Sequence, residues 1–401
     1  MKGPHGHERD LPGKGPKLRD FPMCGERRLG AGWRKMTTIH FVYPHGEAVS
    51  CPDAIGRKVG AILERAGYRV LHYDWDDERT IRPGAGDVLL GHAHPFPWTV
   101  FRRSSCSRDW ARVIAMSPFA HGNTYQVSYL DRLMRRVDQY LAITGNFWFD
   151  TISRSPYSHW LPKMVHLDLA VDRTDFPRVK QSFHEPGDRR FLYIGNTAWC
   201  KNTRYLSQLA RRLPRFEFAW MGGGQRIAGV RPLGFQNFST ESSRSLISKY
   251  DFLLTVGSSD ANPTTVLEAM AWGLIPICTP QSGYYRYPGI VNLPLNDGFA
   301  ASRILEDLQS VPEKRLREWQ AVNDQALDSH FTWERFGCQV LAAVRSSARP
   351  QLLPQSLVSR GRIMAGELMS PYSWLRPNGL KHLARIAKTA ICRVGKPPAE
   401  W

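Results

Sequence analysis

The sequence predicts an α/β protein built from two Rossmann-like, doubly wound domains. Three observations lead there. Short apolar runs of strand length alternate with helices of 3.6-residue apolar period. That rhythm stops at a polar, Pro-containing stretch, 184–190, and then starts afresh. The 401 residues are enough for two such domains, each a parallel sheet with helices on both faces.

The first half opens on a strand at Ile39–Tyr43, followed by a loop with Pro44 and Gly46. A helix over Asp53–Ala66 carries Ile55, Val59, Ile62, Leu63 and Ala66 on one face, and Gly67 suits its end. Strands follow at Tyr68–Tyr73, Asp87–Leu90 and Arg112–Met116, then a helix at Tyr129–Arg136 and a strand at Gln139–Thr144. In the second half, strands are predicted at Arg190–Ile194, Phe216–Met221, Phe252–Val256 and Ile275–Cys278. Helices at Thr203–Leu213, Ser243–Tyr250 and Pro263–Trp272 separate them. In such sheets ligands bind beyond the carboxyl ends of the strands, so the loops after strands are where chemistry is expected.

The net charge of +18 would suggest a polyanionic partner, but its distribution argues otherwise. Residues 1–35 hold nine Lys/Arg against four Asp/Glu, and 345–401 hold ten against two. The body between them is close to balanced, so nucleic acid is not the expected partner. Residues 1–35, rich in Gly, Pro and Arg, read as a basic disordered extension, and an over-extended start before Met36 would explain them. No apolar run approaches the roughly 18 residues of a membrane-spanning helix. Seven scattered cysteines, with no CxxC, predict free thiols in a reducing compartment, hence the cytoplasm. Near the C-terminus, 380–394 places Leu380, Leu383, Ala384, Ala387, Ile391 and Val394 on one helical face among Lys and Arg. Such a helix suits the surface of an anionic membrane, and peripheral association there is expected.

The most informative stretch is SSDANPTTVLEAMAWG, residues 258–273. Asn262 suits an N-cap, Pro263 the first helical position and Gly273 the residue after the last turn. The backbone N–H groups of Thr264, Thr265 and Val266 would then point unpaired out of a helix that follows a strand, a ready site for a diphosphate. Asp260 and Glu268 flank that helix start. Carboxylates repel phosphate but accept hydrogen bonds from hydroxyls, so a ribose or hexose beside the diphosphate accounts for them.

This segment resembles the sugar-nucleotide site of the group 1 (family 4-like) glycosyltransferases of GT-B fold, whose pattern is E-x7-E within EGFGLPxLEAMAxGxPV. Here it reads D-x7-E, with Asp260 and Glu268 as the two acids. Tyr193 to Lys201 resembles GRLxxxKG, with Lys201 at the phosphate-binding lysine and Asn196 where the family has arginine. Met221 to Gly224 resembles VGxGP, and Ser245 to Asp251 the LYxxAD run. In the first half, Asp87–Pro95 resembles DVxHAHxP and Ala120–Gly122 the strand-end histidine loop. Leu167–Phe176 resembles the NGVDxxxF hinge, and Phe331–Glu334 the FSWE helix start.

The resemblance covers about residues 37–344 and implies two Rossmann-like domains facing a central cleft. It implies an acceptor-side domain over 36–186, a donor domain over 187–330, and a helix at 331–344 crossing back, followed by the basic tail 345–401. The implied activity is transfer of a sugar from a nucleoside-diphosphate sugar to a glycan or lipid-linked acceptor, with retention of anomeric configuration and no metal or other cofactor. Such an activity would serve cell-envelope glycan or glycolipid synthesis. Lys201, Asp260 and His121 would be catalytic. Gly46, Asn196, Gly223, Arg226, Asn262, Thr264, Thr265, Val266 and Glu268 would hold the donor, with Arg226 replacing the missing arginine. His92 and His94 read as structural. A non-catalytic sugar-nucleotide or glycan-binding protein and a sugar-nucleotide epimerase of the same fold remain alternatives.

Overall fold

A computed structural model of the chain describes residues 37–47, 50–96, 98–122 and 127–370. Twelve strands form two six-stranded sheets among these residues. The first holds β1 (Thr38–Val42), β2 (Arg69–Tyr73), β3 (Val88–Gly91), β4 (Arg112–Pro118), β5 (Gln139–Ile143) and β6 (Met164–Leu167), in the order β2-β1-β3-β4-β5-β6. The second holds β7 (Phe191–Ile194), β8 (Phe218–Met221), β9 (Arg231–Pro232), β10 (Phe252–Thr255), β11 (Ile275–Cys278) and β12 (Val291–Asn292), in the order β12-β11-β10-β7-β8-β9.

The pairing is parallel for β1 with β2 and β3, and for β7 with β8 and β10. Parallel sheets are covered on both faces, which is why their strands are continuous apolar runs. Accordingly β3, β7, β8, β10 and β11 are buried along their whole length. In each sheet the chain lays strands to one side of its first strand and later strands to the other. The order therefore reverses between β1 and β3, and between β7 and β10. Loops leaving the strands on the two sides of such a point diverge and leave a crevice at the carboxyl edge.

The predicted strands all form, within about two residues at each end. The helix drawn from Asp53 spans Cys51–Arg65, because Ser50 caps it by accepting from the Asp53 N–H at 3.3 Å. Helix Thr203–Arg212 buries Tyr205, Leu206, Leu209 and Ala210 against the second sheet. β6, β9 and β12 went unpredicted; β9 and β12 have two residues each at sheet edges and too little sequence to show a period. Helices Gly298–Gln309, Glu313–Ser329 and Leu357–Met369 also went unpredicted.

Two compact units result. One gathers Ile143–Asp150 with His166–Ala342; the other joins Thr151–Val165 to the described residues of 37–142 and 343–370. The second sheet's core packs Phe191, Phe218 and Phe252 as stacked rings 5.1 and 5.2 Å apart, with Leu206, Leu209 and Ile275 around them. Among the described residues no helix is long and apolar enough to cross a membrane. Leu357, Val358, Met364, Leu368 and Met369 are exposed on the Leu357–Met369 helix. The amphipathic stretch 380–394 and the extension 1–35 lie outside the described residues.

Candidate functional site

The site is assembled at the reversal point of the second sheet. The chain leaves β7 through Gly195, at φ 150°, and the Tyr193 hydroxyl donates to the Asn196 carbonyl at 2.5 Å. A single 3-10 turn, Trp199–Lys201, follows, and Asn202 in the left-handed region (φ 53°) turns the chain into the next helix. From β10 the chain runs through Gly257 to Asn262, and the Ser258 N–H donates to the Cys200 carbonyl at 2.9 Å. Two loops 59 residues apart in sequence are thereby fastened together, and Lys201 Nζ meets Asp260 Oδ2 at 2.5 Å. Burial works against the Lys201 ammonium, but the Asp260 carboxylate outweighs it and holds the lysine pKa above its usual value. A charged lysine is thus kept ready beside an acid.

The Asp260 loop is held by two further segments through four hydrogen bonds. Its N–H donates to the Gln281 carbonyl at 3.0 Å, and Thr279 Oγ1 donates to the Gly257 carbonyl at 2.5 Å. Trp148 Nε1 donates to the Asp260 carbonyl at 2.8 Å, and the Gly145 N–H to the Ala261 carbonyl at 2.8 Å. A Cβ on Gly145 would come within 2.2 Å of the Gly283 carbonyl oxygen, so only glycine allows this approach. Segment 145–150 was missed from sequence, since nothing local marks a tryptophan that holds a carbonyl 112 residues away. Within the loop, Ser259 Oγ, both polar atoms of the Asn262 amide and the neighbouring Gln281 Oε1 are buried without a partner among the described residues. Unmade bonds of this kind cost about 1–3 kcal/mol each.

The helix after the loop corrects two expectations. It spans Thr264–Trp272, and Pro263, extended at φ −65° and ψ 120°, is its N-cap. Asn262 is therefore not the cap and Pro263 is not the first helical residue. Proline's fixed φ suits the position before the helix equally well, and buried Asn262 turns its amide elsewhere. Nor is the Val266 N–H unpaired, since it donates to the Pro263 carbonyl at 3.2 Å and the Val266 side chain is fully buried. Gly273 ends the helix in the left-handed region, φ 89°, as expected. Glu268, one turn in, is hydrogen-bonded by the Thr264 side chain. Burial nonetheless pushes its carboxyl up to about 7.

Comparison with solved structures places this architecture. Sucrose-phosphate synthase from Thermosynechococcus elongatus is 11% identical, covers 77% of this chain and 98% of its own length, and superimposes with a TM-score of 0.57. A glycosyltransferase from Rickettsia africae is 11% identical, covers 79% and 100%, and gives 0.54. No protein-family model matches the chain, and no curated protein matches it in sequence. The fold is GT-B. At 11% identity the likeness is one of fold, and the chemistry must be argued from the residues.

In this GT-B chain the turn after β8 brings Gly222 and Gly224 against the Lys201 loop. A Cβ on Gly222 would lie 2.0 Å from the Gly195 carbonyl oxygen, and one on Gly224 2.1 Å from Thr197 Oγ1. Gly223, the residue singled out from sequence, has open space around it. The constraint falls on its neighbours. Arg226 and Asn196 are exposed, the latter with its side-chain oxygen accepting from the Ala198 N–H at 3.0 Å. Gly46 and His121 belong to the other unit. Gly46 is exposed after β1, and its carbonyl accepts from Arg57. His121 follows β4, with Nε2 2.9 Å from the Thr151 hydroxyl. Among the described residues no group of three or more His, Cys, Asp or Glu could hold a metal ion.

Proposed function

We propose that the protein is a retaining glycosyltransferase that moves a hexosyl or related sugar from a nucleoside-diphosphate sugar to an acceptor. The observation that carries this is the Lys201–Asp260 pair at the reversal point of the second sheet, with Glu268 on the helix that follows. In transfer, the bond from the sugar's anomeric carbon to the diphosphate breaks and a bond to an acceptor oxygen forms. The acceptor's proton leaves with the diphosphate or to solvent. Negative charge grows on the leaving diphosphate, and a lysine held charged in a partly buried loop stabilises it where water would screen it less. The Thr264 and Thr265 N–H groups at the helix start act on the same oxygens. Asp260 accepts from sugar hydroxyls once the phosphate competes for Lys201, and Glu268 accepts from the ribose. The binding-only alternative has Asn196 and the shortened Asp260 in its favour; catalytic release of nucleotide separates the two.

A thermal-shift screen against UDP, GDP, ADP and their sugars tests the reading. One nucleotide family should raise the melting temperature of the parent and leave Lys201→Ala and Glu268→Ala unmoved. If no nucleotide stabilises the parent, or if both variants respond like the parent, the site is elsewhere.

A further inference from the structure

The reversal point of the first sheet carries a different set of side chains. Its loops leave β1 at Tyr43–Gly46 and β3 at His92–Phe96, with Trp75 just beyond neighbouring β2. The rings form a chain: Tyr43 to Trp75 at 6.4 Å, Trp75 to His92 at 4.9 Å, His92 to His94 at 6.1 Å and His94 to Phe96 at 5.1 Å. Tyr43 and His92 are buried beneath, while Trp75, His94 and Phe96 are partly exposed. The loop that bears the last two is fixed through its carbonyls. Tyr129 donates to Ala93 at 2.8 Å, Arg102 to Pro95 at 2.6 Å and Thr99 to Phe96 at 3.0 Å. A rigid ledge of aromatic rings therefore stands where a sheet of this order takes its ligand.

The surrounding charge selects the ligand. Exposed Asp74 and Asp76 flank Trp75 on either side in sequence. The nearby arginines are engaged, Arg79 with Asp77 at 2.5 Å and Arg103 with the Glu78 carbonyl. Burial, then the neighbouring His94, pushes His92 down to about 3, so it is neutral, and its Nδ1 has no partner among the described residues. This is a poor place for phosphate and a good one for a neutral ring with C–H faces and hydroxyl edges. Apolar faces stack on rings, and the hydroxyls find carboxylates and imidazoles.

We infer that the Trp75–His94–Phe96 ledge is a carbohydrate subsite, which makes a glycan, not a nucleic acid, the acceptor. The acceptor role rests on the transferase reading above; the sugar binding does not. The probes are maltotriose, cellotriose and N-acetylchitotriose, followed by saturation-transfer NMR and titration calorimetry. At least one should receive saturation at its ring C–H protons, in the absence of nucleotide. Trp75→Ala should weaken it by about tenfold or more, a loss of about 1.4 kcal/mol. His94→Ala should weaken it less, and Trp75→Phe should restore most of the binding. Lys201→Ala should leave it unchanged. The inference is overturned if none of the three binds, if binding survives both Trp75→Ala and His94→Ala, or if a single-stranded oligonucleotide binds through Trp75 instead. Sugar binding that depends on Trp75, with no nucleotide response, would retire the transferase reading and keep the subsite. The reverse result would retire the subsite alone.

Discussion

The two sheets reverse strand order in the same way yet arm the reversal point with opposite chemistry. Beyond β7 and β10 stand a lysine, two acids and several polar atoms without partners. Beyond β1 and β3 stand a chain of packed rings, a neutral buried His92 and exposed carboxylates. The shared part is topological, since parallel strands that run outward from a first strand must leave a crevice at their carboxyl edge. What fills the crevice is free to vary, because loop residues answer to the ligand more than to the core. One topology has thus produced a site of charged and polar groups and a site lined by rings, for which we propose a diphosphate and a neutral polyol respectively.

The contrast can be tested by perturbing one side at a time. The largest effect is expected from Lys201→Ala, which removes the cation paired with Asp260 and should lower kcat by about 10²–10³ with the ledge's sugar binding unchanged. Equal losses at both sites would mean that the variant disturbs the fold and that the two sites are not separate. Gly222→Ala should come next, at about 1–3 kcal/mol of stability, because its Cβ meets a carbonyl and its φ is 150°. Gly223→Ala, one residue on, should change the melting temperature little.

A further effect, read by pH, is expected at Glu268. Its folded pKa, about 7, lies above the ordinary carboxyl value, so the folded state favours the protonated form. The stability this contributes is present at low pH and is lost as pH rises from about 4.5 through 7. Glu268→Gln without ligand should therefore melt higher than the parent at pH 8 and much like it at pH 4. Nucleotide affinity of the parent should rise between pH 6 and 8, as the carboxylate that accepts from hydroxyls appears, and should be flat in Glu268→Gln. A flat profile in the parent would remove Glu268 from the ribose.

Much of this was legible in the chain. Strands buried on both faces must be apolar, so β3, β7, β10 and β11 declared themselves. Gly67 and Gly273 marked helix ends because each sits in the left-handed region. The segment around Asp260 and Glu268 stood out because acids beside a helix start oppose phosphate unless hydroxyls are there too. Other features had no local signal. Asn262 looked like a cap, but whether its side chain turns back to the helix depends on the loop beneath it. The sequence offered Gly223 as the special glycine of its turn, whereas the approach of a neighbouring loop put the constraint on Gly222 and Gly224.

The sequence by itself determined the fold class, the order of most strands and helices along the chain, and the segment that bears the charged site. Those follow from periodicity, capping and the charge logic of a few adjacent residues. Only the tertiary structure decided that Lys201 and Asp260 form a pair, that Trp148 holds the Asp260 carbonyl, and that His330 reaches Asp168 at 2.8 Å across 162 residues. It alone lined Tyr43, Trp75, His92 and His94 into a ledge. The physical reason is that each of these contacts joins residues far apart in sequence, brought together by the order in which strands and helices pack. That order is set by packing over the whole domain and leaves no trace in any one stretch of sequence.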